Sequence, residues 1–167
     1  MAGIPARGFS IMELVMVLVV FGIISAVAAP LLANGFRAYF TGRDISETDS
    51  QARAAIERMT RELRGIRGPG DLTAASASDI SFVDASGTSV RYCLGAAAGC
   101  PGAAAGDLMR NGQPLAGGIS GLTFSFLSRG AAATGAGGAF YVTVAFTASQ
   151  NAVSKSYQAT VSPRNFP

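Results

Sequence analysis

The stretch GFSIMELVMVLVVFGIISAVAAPLLA, residues 8–33, decides how the rest of the chain is organised. From Leu14 to Ala33 it contains no charged residue. A helix of that length covers about 30 Å, which is the thickness of the hydrocarbon core of a bilayer. Arg7 precedes the stretch and favours an N-terminus that stays in the cytoplasm while the rest is sent outward. The sequence therefore predicts one membrane-crossing helix near the N-terminus.

A carboxylate, Glu13, interrupts this apolar run. One alternative is an ordinary secretory signal that is cut at Ala26-Val27-Ala28. Such a signal usually has a shorter apolar region and contains no carboxylate. Pro30 would also stand unusually close after the cut. A plain membrane anchor explains the length but gives Glu13 no purpose, because an unpaired carboxylate in hydrocarbon costs about 2.5–3.5 kcal/mol on insertion scales. Glu13 is therefore a candidate functional residue.

The segment Gly8-Phe9-Ser10-Ile11-Met12-Glu13-Leu14 resembles the cleavage motif of type IV prepilins. In that family a glycine precedes the cut, a phenylalanine follows it, and a glutamate is the fifth residue of the mature protein. Gly8, Phe9 and Glu13 match this pattern, whereas Ser10, Ile11 and Met12 replace the commoner Thr-Leu-Ile. The resemblance is specific over the first thirty or so residues and weak beyond them.

The resemblance implies a role for each matching residue. A prepilin peptidase would remove the leader, residues 1–8, on the cytoplasmic side and methylate the new amine of Phe9. Glu13 would then pair with such an amine, most closely with that of a neighbouring subunit, and serve in assembly. Gly22 and Pro30 fall where many type IV pilins carry residues that soften the helix; they either kink a membrane helix or let it unwind on assembly.

Helical periodicity continues beyond the membrane segment. Apolar residues recur three, four or seven positions apart and predict one buried stripe: Ile45, Ala52, Ile56, Met59, Leu63 and Ile66. Opposite charges stand four residues apart on the polar faces, at Arg53–Glu57, Glu57–Arg61 and Arg58–Glu62. Gly68-Pro69-Gly70 stops the helix. We expect a helix from Phe9 to Arg67, with a transmembrane and assembly half over residues 9–35 and an amphipathic half over residues 36–68.

The period changes from helical to strand-like at Asp71. Apolar and polar residues alternate at residues 80–82, 90–94, 122–126, 140–146 and 153–161. Such alternation predicts an antiparallel sheet with one buried face, which the amphipathic half of the helix can cover. The expected fold is α+β, a long N-terminal helix packed on an antiparallel β-sheet head over residues 71–167, which is the plan of a pilin.

The two cysteines, Cys93 and Cys100, lie seven positions apart. The chain has no histidine and no Cys-x-x-Cys spacing, so the cysteines fit neither a zinc site nor a redox motif. Two separate buried thiols suit a reducing compartment. A local disulfide suits an exported domain, and it would stabilise the fold by roughly 2–3 kcal/mol in the chain-entropy model. If the domain is exported, as the N-terminal segment indicates, we expect Cys93 and Cys100 to form a disulfide.

Residue types argue against catalysis and against nucleic-acid binding. We expect no catalytic residue, metal or cofactor, because no Ser/His/Asp set, metal cluster or phosphate-binding loop is present. The arginine-rich run from Arg37 to Arg67 has interspersed acids and no aromatic residue after Phe40, which is typical of a solvated helix face. The basic residues of the head are scattered: Arg91, Arg110, Arg129, Lys155 and Arg164.

The resemblance extends faintly to the tail, since Val161-Ser-Pro-Arg-Asn165 is similar to the ending of several minor pilins and pseudopilins. It implies a structural subunit of a type IV pilus or a type II secretion pseudopilus, a minor one acting in filament initiation or at the tip. An adhesive or DNA-uptake pilin with a ligand-binding head is the alternative. The implied partners are other pilin subunits, the prepilin peptidase, the inner membrane and the assembly platform. The implied location is the inner membrane, crossed once with a periplasmic head, and then the filament.

Overall fold

The computed structural model describes residues 8–95, 100, 104–128, 131–132 and 141–164. Predictions for the leader residues 1–7, Arg129, Phe140 and Asn165 lie outside this part of the chain. The described residues form a long helix, α1 (Ile11–Arg64), followed by two antiparallel sheets, which confirms the α+β class. The chain divides into two compact units, Met1–Gly42 and Arg43–Pro167, and α1 contributes to both.

Helix α1 begins at Ile11, inside the predicted cleavage segment and just after the predicted cut between Gly8 and Phe9. The backbone carbonyl of Ser10 accepts hydrogen bonds from the amides of Glu13 and Leu14, both at 3.1 Å. Glu13 therefore lies in the first turn of the helix, where the helix dipole favours a negative charge.

The part of α1 in the second unit buries a stripe of small and apolar side chains: Ala52, Ala55, Met59 and Leu63. Ile66 is also buried just beyond the helix end. The helix ends at Arg64 because the next turn tightens, with the Gly65 amide bonded to the Glu62 carbonyl at 3.0 Å. This end precedes the predicted stop at Gly68-Pro69-Gly70, and Ala55 is a core residue that the sequence analysis missed.

Two sheets follow the helix. A short 3₁₀ turn, Pro69–Asp71, leads into a five-stranded sheet with the order β1-β2-β3-β4-β5: β1 Leu72–Ala75, β2 Asp79–Val83, β3 Ser89–Leu94, β4 Leu108–Arg110 and β5 Gln113–Ala116. The four-stranded sheet has the order β7-β6-β8-β9: β6 Ile119–Ser128, β7 Ala131–Ala132, β8 Tyr141–Gln150 and β9 Val153–Val161. Every neighbouring pair is antiparallel.

The longer strands were predicted and the shorter ones were not. The structure confirms strands at β2, β3, β6, β8 and β9. Strands β1, β4, β5 and β7 have only two to four residues, too few to reveal a period of two. The sequence also predicted one sheet, whereas the strands are divided between two.

Gly118 marks the point where the chain passes from one sheet to the other. Its φ is +67°, and a Cβ there would lie 2.7 Å from the Ser149 carbonyl oxygen. Glycine is therefore required both by the backbone conformation and by the available space. The Ser149 amide donates to the Gly118 carbonyl at 2.8 Å, which fixes this passage between β5 and β6.

One hydrophobic cluster joins the helix stripe to both sheets. In the five-stranded sheet the rings of Phe82 and Tyr92 stack with centroids 6.4 Å apart. In the four-stranded sheet Phe146 and Tyr157 stack at 5.5 Å. The aromatic residues of the alternating segments are therefore core residues, as predicted.

Strands β8 and β9 are joined by a two-residue turn, Asn151-Ala152, with φ angles of 50° and 65°. Both residues are in the left-handed region that suits such hairpins. Asparagine tolerates this region, but alanine at a left-handed position costs about 1–2 kcal/mol. The turn therefore stores strain at Ala152.

We expect Ala152→Gly to raise the free energy of unfolding of the second unit by about 0.5–1 kcal/mol, because glycine adopts this φ without strain but loses more entropy on folding. Thermal unfolding of the detergent-solubilised full chain, followed by circular dichroism, should shift upward by about 2–5 °C. The matched control is Ala54→Gly at an exposed position of α1, which should destabilise by about 1 kcal/mol. An Ala152→Gly variant no more stable than the wild type would contradict strain at the turn.

Candidate functional site

The predicted processing segment is open to solvent. Gly8, Phe9 and Ser10 precede α1 and are all exposed. A side chain at Gly8 would meet no atom within 4 Å, and the Phe9 side chain is 77% exposed. The peptide bond between Gly8 and Phe9 is thus accessible, and Glu13 follows four residues later in the first helical turn.

Large apolar side chains cover the surface of α1 in the first unit. Between Phe9 and Phe40 such side chains are at least 50% exposed. The most apolar 18-residue window has a mean hydropathy of 2.7, and none of it is buried. Continuous apolar surface of this size is unusual on a monomeric soluble protein and indicates a surface that lipid or other proteins cover. The first unit therefore contains a candidate membrane-spanning helix.

Gly22 and Pro30 both lie inside α1, and the helix continues through them. Pro30 has no amide hydrogen to donate, so the helix lacks one backbone bond there. A side chain at Gly22 would meet nothing within 4 Å, so the absence of one is not explained by packing within the chain. Local unwinding at these residues stays a prediction.

Glu62 connects α1 to the five-stranded sheet. Its carboxylate accepts hydrogen bonds from the Tyr92 hydroxyl at 2.7 Å, from Arg110 Nε at 3.0 Å and from Arg58 Nε at 3.0 Å. Burial acts to raise the pKa of Glu62, but the three donors outweigh it and hold the pKa below its ordinary value. Burial, and then the neighbouring Glu62, raise the pKa of Tyr92 well above its usual range.

Asp49 connects α1 to the four-stranded sheet in a similar way. Its carboxylate accepts hydrogen bonds from Lys155 Nζ at 2.8 Å, from the Tyr157 hydroxyl, and from Arg53 Nε at 2.7 Å. The bond from Lys155, followed by those from Tyr157 and Arg53, holds the pKa of Asp49 well below its usual range. Burial, and then Asp49, raise the pKa of Tyr157 to about 12.

The two clusters share one plan: a helix carboxylate bonded by an arginine one helical turn away, by a tyrosine and by a basic strand residue. The sequence predicted the Arg58–Glu62 pair, and the structure confirms it. Arg53 pairs with Asp49 rather than with Glu57. The strand partners lie 30 to 108 positions away from these carboxylates in the sequence. The one sequence signal for them was that the tyrosines fall on predicted strands. Both clusters hold α1 against the sheets.

Cys93 and Cys100 form a disulfide, as the sequence predicted for an exported domain. Both are buried with Met109 in a small cluster of their own beside β3. A disulfide is typical of proteins that fold outside a reducing cytoplasm.

The described side chains offer little for metal or nucleic-acid chemistry. Within residues 8–164, apart from the undescribed segments, no group of three or more His, Cys, Asp or Glu side chains could hold a metal ion. Three of the scattered basic residues of the head are already ion-paired: Arg91 with Asp79, Arg110 with Glu62 and Lys155 with Asp49. This pairing lowers the positive charge that they offer to a phosphate backbone.

No protein-family model, no curated protein and no solved structure matches this chain. The class of protein must therefore be inferred from the segment Gly8–Glu13 and the exposed helix that follows it.

We expect Glu62→Gln to lower the free energy of unfolding of the second unit by about 1–3 kcal/mol at neutral pH, because the amide cannot pair with Arg110 as the carboxylate does. Urea unfolding of the full chain in detergent measures this loss. The matched control is Glu57→Gln, an exposed glutamate on the same helix for which the described residues provide no ion pair; it should change stability by less than about 0.5 kcal/mol.

The stability lost in the Glu62→Gln variant should also depend on pH. The carboxyl has a lower pKa in the folded protein than its ordinary 4.5, so its stabilisation is present above that value and is lost as the pH falls through the folded pKa. The difference between wild type and variant should therefore shrink between pH 5 and pH 3. A difference that stays constant with pH, or that equals the effect of Glu57→Gln, would show that the ion pair does not hold the helix.

Proposed function

We propose that this chain is a structural subunit of a type IV pilus or a type II secretion pseudopilus, a minor subunit that acts in filament initiation or at the tip. The observation that carries the proposal is the placement of Gly8, Phe9 and Glu13 at the start of a 54-residue helix whose first part is exposed and apolar. A secretory signal would be removed together with Glu13, and a plain anchor has no use for it.

Cleavage after Gly8 supplies the positive charge that Glu13 needs. It frees the amine of Phe9, and in a filament the amine of one subunit can approach Glu13 of the next. Opposite charges 4 Å apart attract by about 4 kcal/mol at an effective dielectric constant of 20. This attraction offsets much of the cost of dehydrating both groups, and removing either one leaves the other buried and unpaired. The pair therefore sets the axial register of an incoming subunit.

The apolar surface of α1 acts differently from this ion pair. Its side chains first lie in the inner membrane and then pack against the helices of other subunits, because lipid and neighbouring helices are both apolar environments. Such attraction has no preferred register, so it makes helices cluster without aligning them. The disulfide-bonded head remains on the periplasmic side, where oxidation is favourable.

The mature protein should begin at Phe9 with a methylated amine, because a prepilin peptidase both cuts and methylates. Mass spectrometry of the N-terminal peptide of membrane-isolated protein measures this. Gly8→Glu should leave the leader attached, since a side chain at that position crowds the backbone approach of the peptidase. Gly3→Glu, the same change within the leader, should be processed normally. A wild-type protein that starts at Ala29 or retains Met1 would defeat the proposal.

Glu13→Ala should insert and be cleaved like the wild type but enter filaments at least about tenfold less, because the amine of a neighbouring Phe9 loses its partner. Immunoblots of sheared filaments and counts of filaments per cell measure incorporation and initiation separately, which matters because a tip subunit has a neighbour on one side only. Glu47→Ala, an exposed acid on the same helix, is the control and should assemble normally. Normal assembly of the Glu13→Ala variant would contradict the pairing of Glu13 with a neighbouring amine. It would not affect the prediction that the chain is cut after Gly8.

A further inference from the structure

A groove of about 930 Å³ runs between the last turns of α1 and the outer edge of the four-stranded sheet in the second unit. Arg61 and Arg64 line it on the helix side, and Gln158 and Ala159 line it on the β9 side. Arg164, just after β9, and Ala85, in the turn between β2 and β3, also line it. The filament function proposed above does not involve this groove.

The groove follows the edge of β9 rather than one of its faces. Consecutive residues of a strand point to opposite faces, and here Gln158 is exposed while Ala159 is half-buried against the core. A groove that touches both residues therefore lies along the strand edge. Among the described strands β9 pairs only with β8, so its other edge presents backbone donors and acceptors that can receive an extended peptide.

Two contacts hold the walls of the groove in place. At one end the Tyr157 hydroxyl of β9 donates to Asp49 of α1. At the other end the Arg164 amide donates to the Arg64 carbonyl at 3.4 Å. The groove opens between these two contacts, so a ligand would enter a preformed site and would not have to separate the helix from the sheet.

Most of the basic residues that make no ion pair within the described part of the second unit line the groove. Ten basic residues are described in the second unit, and six of them make ion pairs within the described part: Arg53, Arg58, Arg67, Arg91, Arg110 and Lys155. Three of the other four line the groove: Arg61, Arg64 and Arg164. Glu57 is the acid among the lining residues, which leaves a net charge of +2. The helix dipole favours arginines in the last turn of α1 but gives no reason for Arg164.

We propose that this groove binds an extended acidic segment of another protein, which adds to β9 as a further strand. The backbone of the segment bonds to the free edge of β9, and its carboxylates pair with Arg61, Arg64 and Arg164. Guanidinium groups suit carboxylates because they donate two parallel hydrogen bonds. The site lies wholly within the second unit and does not depend on the processing of the N-terminus.

The test uses the detergent-solubilised full chain and a fluorescent capped peptide of four Thr-Glu repeats, with binding followed by fluorescence anisotropy. The acidic peptide should bind at least about tenfold more tightly than the equivalent Thr-Lys peptide. N-methylation of alternate backbone amides in the acidic peptide should weaken binding by a similar factor, because it removes the donors that pair with a strand edge. Equal binding of the lysine peptide or of the N-methylated peptide would overturn the proposal.

Variants locate the binding. The double variant Arg61→Gln/Arg164→Gln should weaken acidic-peptide binding at least about tenfold, whereas Arg43→Gln, which removes an unpaired arginine outside the groove, should change it less than about twofold. Thermal unfolding checks that all variants are folded. Equal effects of the two changes would place the peptide elsewhere. Competition with inorganic pyrophosphate and with single-stranded DNA covers the other anions, and displacement by either at a lower concentration than unlabelled acidic peptide would overturn the proposal in favour of a phosphate ligand.

Discussion

The second unit depends on two helix carboxylates, Asp49 and Glu62, each held by strands of a different sheet. The apolar stripe between them attracts the sheets, but hydrophobic attraction has no direction and tolerates rotation or sliding of a helix. Hydrogen bonds to ionised groups do have direction, so a helix that rotated or slid would lose donors at both carboxylates. Two such points, one for each sheet, fix both the rotation and the axial position of the second-unit part of α1 on the two sheets.

The two parts of helix α1 differ in how their apolar side chains are covered. In the second unit its stripe is covered by the chain itself, whereas nineteen large apolar side chains from Phe9 to Phe40 are exposed. Fully burying one such side chain contributes about 1.5–3 kcal/mol, so lipid or a partner protein that covers many of them would stabilise the first unit strongly. The state of the first unit therefore depends on what covers this surface. In the filament proposed above, the ion pair of Glu13 would add specificity to the clustering that this apolar surface favours.

Local patterns in the sequence were sufficient for the elements that repeat over many residues. The helix, the longer strands and the burial of Phe82 and Phe146 follow from periods of 3.6 and 2. Gly8, Phe9 and Glu13 were singled out because their spacing resembles a prepilin cleavage motif, and their roles stay predictions. Only part of the Glu62 cluster could be predicted from the sequence. Arg58 is four residues from Glu62 and follows the helical spacing, whereas Arg110 is 48 residues away. The division into two sheets depends on the left-handed backbone at Gly118 and its close approach to Ser149, and neither leaves a periodic signal.

The partners of Asp49 lie on β9, which is made long after this part of the helix. Lys155 and Tyr157 follow Asp49 by 106 and 108 residues. Ribosomes add about 5–20 residues each second, so about 5–20 s pass between the synthesis of Asp49 and that of the strand that binds it. Throughout that interval the helix stripe has no complete cover. Asp49 lacks these strand partners until β9 has been made, so the docking of α1 on the four-stranded sheet is a late step in the folding of the second unit.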